Sequence, residues 1–193
     1  LYSEWNRTVD EHSGPTDVVP PSYAHVVGAI NRVCDETDLV LTAAGGFPGE
    51  LCKNWKTKAV GTFHCEFGFS CMGYEIAGGW GAKMADPSRD VIVLIGDGSY
   101  LMMNSDIYSS VLTGHKLIIV VCDNGGFGVI NRLQNFKGSA SFNNLISDSK
   151  VNELVHVDFI QHAKSMGALG EQVDSITELE TAFKRAKVAD RTY

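Results

Sequence analysis

Two stretches constrain this chain most: "VIVLIGDGS", beginning at Val91, and "KLIIVVCDNGG", beginning at Lys116. Each opens as an apolar run without the alternation of a half-exposed strand. A strand of that kind has to be covered on both faces, the usual condition inside a parallel sheet. Between the runs lies "YLMMNSDIYSSVLTGH", long enough for the helical crossover that parallel neighbours need. Both runs then stop on glycines flanking an acid or an amide. The pattern predicts a strand, helix, strand unit whose two loops open at one edge of the sheet, where open α/β sheets hold their ligands.

The rest of the chain keeps the alternation. Residues 1–21 are polar, contain "SGPTDVVPP" and are expected to form an irregular lead-in segment. Ser22 is placed to cap a helix running to about Cys34, in which Ala24, Val27, Ile30 and Val33 recur at helical spacing. "DLVLTAAGG" reads as a short buried strand, and Pro48 suits the first turn of a helix over "PGELCKNW". After a loop, "CMGYEIAGGWGAKMADP" reads as a helix stopped by Pro87. Its Gly78, Gly79 and Gly81 each weaken it by up to about 1 kcal/mol relative to alanine, which points to a close approach by other backbone or by a ligand. Residues 137–150 read as a polar surface loop, "DFIQHAKSM" as a helix, "ALGEQV" as a strand, and "SITELETAFKRAKVA" as an amphipathic helix with Leu179, Phe183 and Ala186 on one face. The expected fold class is α/β: three layers, α/β/α, around a mostly parallel sheet, with 22–193 as one domain able to bury a full core.

Composition narrows the partners. The net charge is -7 and the 16 Lys and Arg residues are scattered singly apart from Lys184–Arg185, so no nucleic-acid footprint is present. No apolar stretch approaches the roughly 20 residues that span a bilayer, so no membrane partner is expected. Cys34, Cys52, Cys65, Cys71 and Cys122 are odd in number and form no CxxC pair, which favours reduced thiols and a cytoplasmic location. The first residue is not methionine, and "VADRTY" reads as the approach to another strand. A piece of a longer polypeptide, cut on both sides, is expected.

At the two strand ends, Gly96 and Gly98 let backbone come close to a ligand, and Asp97 supplies a hard oxygen. Ser99 and the helix start behind it offer donors to phosphate. Asn124 can bring an amide oxygen beside Asp97 if the strands are neighbours, while Gly125 and Gly126 free a carbonyl to turn inward. One carboxylate, one amide oxygen, one carbonyl, a water and two phosphate oxygens would complete the octahedron that Mg²⁺ prefers, at about 2.1 Å. Either turn alone is commonplace. Their pairing, each behind a buried strand, points to a magnesium-bridged diphosphate.

"GDGS" followed by this "DN" resembles the thiamine diphosphate motif of the acetolactate synthase and pyruvate decarboxylase superfamily, and "FSCMGYEIAGGWGAKMA" is similar to the loop and helix that precede it there. The resemblance covers about Val40 to Asn131 and implies that superfamily's diphosphate-binding fold, with thiamine diphosphate and Mg²⁺ as cofactors. It implies Asp97, Asn124 and the Gly126 carbonyl as metal ligands. Gly96 and backbone donors around Gly98, Ser99, Phe127 and Gly128 would line the diphosphate. By the same resemblance Met72 is the apolar wedge under the cofactor, and the Ser70 carbonyl and Met72 N–H meet its aminopyrimidine. Gly45 and Gly46 resemble the other phosphate-side loop, although Phe47 follows where a polar residue is usual. Ile130 stands where some decarboxylases carry an acid, which disfavours a simple decarboxylase.

"AAGGFPGELCKNWKT", "FHCEFGFSCMGYEIAGGWGAKMA" and "DNGGFGVINRLQ" are more similar to the trihydroxycyclohexane-1,2-dione hydrolases of myo-inositol catabolism than to acetolactate synthases. That resemblance implies hydrolytic cleavage of a carbon–carbon bond in a small cyclic diketone, with His64 and Glu66 as candidate substrate-facing groups. It also implies a homodimer or homotetramer when full-length. The glutamate that activates the cofactor would come from the pyrimidine-binding domain of a partner subunit, so these residues alone would hold half a site. An acetolactate synthase-like carboligase acting on 2-oxo acids is the first alternative, and a non-catalytic flavodoxin-like nucleotide-binding module the second.

Overall fold

In the computed structural model, which describes residues 1–193, four strands lie parallel in one sheet. They are β1 (Leu39–Thr42), β2 (Phe63–Cys65), β3 (Val91–Gly96) and β4 (Ile118–Cys122), in the spatial order β2-β1-β3-β4. The helices are α1 (Tyr2–Ser13), α2 (Tyr23–Val33), α3 (Gly46–Asn54), α4 (Tyr74–Ala85), α5 (Asp97–Met102), α6 (Asp106–Leu112), α7 (Gly128–Phe136), α8 (Phe159–Ser165) and α9 (Ile176–Val188).

β3 is buried from Val91 to Ile95, and its alternate residues serve two cores. Ile92 and Leu94 pack with Val27 and Ile30 of α2, Phe47 and Leu51 of α3, and Phe183 of α9. Val91, Val93 and Ile95 pack with Ile76 of α4, Tyr100 of α5 and Ile107 of α6. Burying each such side chain contributes about 1.5–3 kcal/mol, which outweighs the helix cost of the glycines in α4. A Cβ on Gly79 would lie 2.6 Å from Val93 Cγ2, so α4 rides directly on the strand. Gly81, by contrast, faces open space. The result is the three-layer α/β/α arrangement expected from the sequence.

The expected helices over Tyr23–Val33, Tyr74–Ala85 and Ile176–Val188 form, and Ser22 caps the first by accepting the His25 N–H at 3.3 Å. Three local expectations change. The lead-in over 1–21 is not irregular throughout, because Tyr2–Ser13 is helical. That helix is polar on most of its surface and buries only Val9 and Ser13, so its periodicity is faint until α2 is set beside it. "ALGEQV" forms no strand; the backbone N–H of Leu169 bonds instead to the Thr192 carbonyl at 2.9 Å. Phe63–Cys65, in a stretch expected to be loop, becomes the edge strand β2 because β1 supplies a ladder for it, with Leu41 opposite His64.

The two edges of the sheet differ in charge. At the N-terminal edge, Lys187 Nζ lies 2.8 Å from Asp35, 2.8 Å from Asp38 and 2.9 Å from Asp90, fastening α9 to the entries of β1 and β3. Burial by itself would lower the pKa of Lys187, but these three carboxylates outweigh it and raise the value. At the C-terminal edge the strand order reverses: the chain leaves β1 for β2, then returns past β1 to β3. The loops after β1, β3 and β4 open together there, at the switch point where α/β sheets bind ligands.

Gly28 tests the seating of α1. A Cβ at this position would stand 1.8 Å from the Ser13 carbonyl oxygen. Gly28→Ala is expected to cost about 1–3 kcal/mol, read as a lower urea midpoint, because backbone has to move to admit the methyl.

Candidate functional site

The crevice at the C-terminal edge is built by β3 and β4, which are in register with Gly96 opposite Cys122. Asp97 follows at once and is 4% exposed. Its Oδ2 accepts the Gly126 N–H at 2.7 Å, which closes the exit of β3 onto the exit of β4. Its Oδ1 is buried and has no partner. Gly98 lies against the Phe127 ring, where an added Cβ would meet Cδ1 at 2.7 Å. The two halves of the motif are therefore in contact.

Asn124 is exposed, and its Nδ2 donates to the Tyr23 hydroxyl, so α2 holds the amide plane. Asp123 Oδ1 accepts the Gly125 N–H at 2.9 Å and shapes the turn. Gly126 has φ 136, and an added Cβ would sit 2.3 Å from the Asn144 carbonyl oxygen, so no other residue fits. Phe127 departs from expectation. Its N–H, expected to be a diphosphate donor, is bonded at 2.7 Å to that same Asn144 carbonyl, which anchors the 143–146 segment across the loop. Gly128 opens α7, whose first-turn N–H groups have no carbonyl within the helix. Ser99 is buried beside Asp97.

On the β1 side, Gly45 has φ 128 and Gly46 starts α3. Gly46 faces Arg132 of α7 and Tyr23, its added Cβ 3.7 and 3.8 Å away from them, so the loops after β1 and β4 also converge. Ser70 has φ 51, a left-handed conformation costly for a residue with a side chain, and Met72 is half-buried behind it. Glu66 fastens this loop: its carboxylate accepts the N–H groups of Phe69 at 3.0 Å and Cys71 at 2.8 Å. Those bonds, Phe69's first, hold its pKa below the ordinary glutamate value. Glu66 thus shapes the 66–73 loop, with each of its carboxylate oxygens engaged by backbone. His64 is exposed in the middle of β2, with Nε2 3.0 Å from the Tyr74 hydroxyl. Glu75, wholly buried, accepts the Gly73 N–H on Oε2 and leaves Oε1 unpartnered; burial raises its pKa.

Residues 43–193 match the family described as thiamine pyrophosphate enzyme, C-terminal TPP binding domain. The chain belongs to that family. It is 39% identical over 168 residues to "3D-(3,5/4)-trihydroxycyclohexane-1,2-dione hydrolase 2" of Bacillus cereus, covering 84% of this chain and 26% of the relative. A relative named 3D-(3,5/4)-trihydroxycyclohexane-1,2-dione hydrolase, from Geobacillus thermodenitrificans, is 38% identical over the same coverage. The chain thus spans about a quarter of the length of these relatives. Among solved structures, the Rhodococcus jostii RHA1 thiamine diphosphate-dependent 4-hydroxybenzoylformate decarboxylase superposes with a TM-score of 0.80, covering 92% of this chain and 32% of the other at 20% identity, which establishes the shared fold.

With the family known, the bare Asp97 Oδ1 is the atom that fits a cation, since a buried carboxylate oxygen without a donor costs about 1–3 kcal/mol unless something meets it. Asp123, Tyr23, Arg132 and Asn144 complete the surroundings, and sequence reading did not single out any of them. Only Asp123, adjacent to Asn124, carried a local signal; the other three arrive from distant elements.

Burial, followed by the neighbouring Asp123 carboxylate, raises the pKa of Asp97 even though the Gly126 bond opposes the shift. The folded chain therefore binds this proton more tightly than the unfolded chain. The resulting stability is complete below the unfolded pKa of about 3.9 and drains away as pH rises through the folded value. In a chelator, Asp97→Asn is expected to melt higher than the parent at neutral pH, with the gap closing as pH falls toward about 4. A gap that stays constant with pH in thermal melts would contradict this reading of Asp97.

Proposed function

We propose that this chain is the diphosphate- and Mg²⁺-holding domain of a thiamine diphosphate-dependent hydrolase that cleaves a carbon–carbon bond of a cyclic 1,2-diketone, in the manner that the names of its curated relatives describe. The observation that carries the metal half is the buried, unpartnered Oδ1 of Asp97 beside the Gly126 turn. The substrate class rests on the 38–39% identity to the trihydroxycyclohexane-1,2-dione hydrolases, which extends over 84% of the chain.

Asp97 Oδ1, the Asn124 side-chain oxygen and the Gly126 carbonyl would hold Mg²⁺ as hard oxygen donors. Tyr23, by engaging Asn124 Nδ2, orients that amide so that its oxygen remains for the metal. The first turn of α7 and the Gly45–Gly46 loop would take the diphosphate, with Arg132 close enough to Gly46 to balance its charge. When bound, the cofactor would supply carbanion chemistry, and the protein's own task would be to bind, orient and exclude water. Glu66 holds the 66–73 loop in place for that purpose. His64 Nε2, paired with the Tyr74 hydroxyl, is the group on β2 that would hold and pass a proton. The activating glutamate would come from a pyrimidine-binding domain of a partner subunit in a cytoplasmic homodimer or homotetramer.

Two measurements on the full-length protein test this. Thiamine diphosphate affinity is expected to fall at least about tenfold, or 1.4 kcal/mol, when Mg²⁺ is chelated or Asp97 is replaced by Ala. With Mg²⁺ and cofactor present, the cyclic dione should be consumed and pyruvate left untouched. Consumption of pyruvate instead would assign the protein to the carboligases, and Mg²⁺-independent cofactor binding would remove the metal role of Asp97.

A further inference from the structure

Outside the cofactor crevice, one pair of reactive side chains stands in contact. Cys52 is exposed near the end of α3, Cys65 is half-buried at the end of β2, and their Sγ atoms are 3.9 Å apart. No other two of the five cysteines are paired in this way. Cys34 is buried, and burial pushes both its thiol and that of Cys122 up to about 12. Cys71 is held at Glu66 through its backbone N–H.

A disulfide needs its sulfurs at about 2.05 Å, with Cβ atoms about 3.8 Å apart. Two sulfurs already touching across neighbouring elements can reach that geometry by side-chain rotation and a small shift of the edge strand. We propose that Cys52 and Cys65 form a thiol–disulfide exchange site that takes a small disulfide, such as oxidised glutathione, and closes to an intramolecular disulfide.

The two thiols divide the work by their surroundings. Cys52 is the sulfur that a dissolved disulfide can reach. As thiolate it attacks one glutathione sulfur, forming a mixed disulfide and expelling glutathione thiolate. Cys65 donates its S–H to the Ala43 carbonyl at 3.7 Å, and burial, with the Cys52 sulfur next in effect, raises its pKa. It therefore reacts second: it loses its proton to solvent, attacks Cys52 Sγ and releases the second glutathione thiolate. Two thiols are oxidised and one glutathione disulfide is reduced to two thiols, so the electrons balance. The new bond would join the helix that begins at Gly46 to the residue just before Glu66, tying together the supports of two loops that flank the crevice.

The test uses the purified full-length protein, equilibrated in glutathione buffers from reducing to oxidising, quenched by alkylation and digested after glutamate. Residues 51–66 then form one fragment that holds Cys52, Cys65 and no third cysteine. The expected result is a fragment that loses both alkyl groups together and becomes lighter by two hydrogens. Cys65→Ser should stop at a glutathione adduct on Cys52, and Cys52→Ser should leave Cys65 alkylated. A fragment carrying two alkyl groups at every ratio would overturn the proposal, as would a glutathione adduct that persists in the parent protein or a cross-link to the fragment holding Cys71. The readout is independent of cofactor binding, so it stands or falls separately from the hydrolase assignment.

Discussion

The hydrogen bond from the Gly126 N–H to Asp97 Oδ2 is the contact on which the crevice depends. It makes one object of two strand exits that are distant in sequence, and it uses one oxygen of the carboxylate while leaving the other bare. An oxygen left unpaired in that way costs about 1–3 kcal/mol. The fold tolerates the cost because β3, immediately before it, buries five consecutive apolar side chains between two helical layers, each contributing about 1.5–3 kcal/mol. The fully buried strand is thus the one that carries a half-satisfied carboxylate to the C-terminal edge.

Two aspartates show how sharply the edges of the sheet are divided. Asp38 and Asp97 are both 4% exposed. Asp38, entering β1, has both oxygens on Lys187 at 2.8 and 2.9 Å. Asp97, leaving β3, meets a backbone N–H, the acid Asp123 and no cation of the chain. Residue type and burial are the same, yet one carboxylate is paired with a lysine and the other keeps an oxygen without a partner. The difference lies in what the helices bring: α9 carries a lysine to one edge, while glycine turns line the other.

Legibility followed the strength of burial. β3 was plain in the sequence because a strand covered on both faces has to be apolar at every position, and β4 is apolar throughout although only Ile118 of it is buried, so the parallel α/β class was plain too. α1, β2 and the extended segment near Leu169 were not. α1 buries two residues, β2 is three residues long and exists through its ladder with β1, and "ALGEQV" has strand-like residues without a strand beside it. At the site, Asp97, Gly98 and Gly126 converge as their motif implied. Glu66 was read as a substrate-facing candidate and is engaged by its own loop, while the Phe127 N–H is taken by Asn144. Both differences arise from hydrogen bonds whose partners no local pattern names.

By itself, the sequence determined the layer architecture, the family motif and the residue types at the two strand ends, because these follow from periodicity and from short-range backbone chemistry. Only the tertiary structure decided which oxygen of Asp97 stays bare, that Tyr23 orients Asn124, that Arg132 comes near Gly46, and that Cys52 lies against Cys65. Each of these depends on the packing of elements separated along the chain, and spacing in a sequence carries no distance between such elements until a core has fixed it.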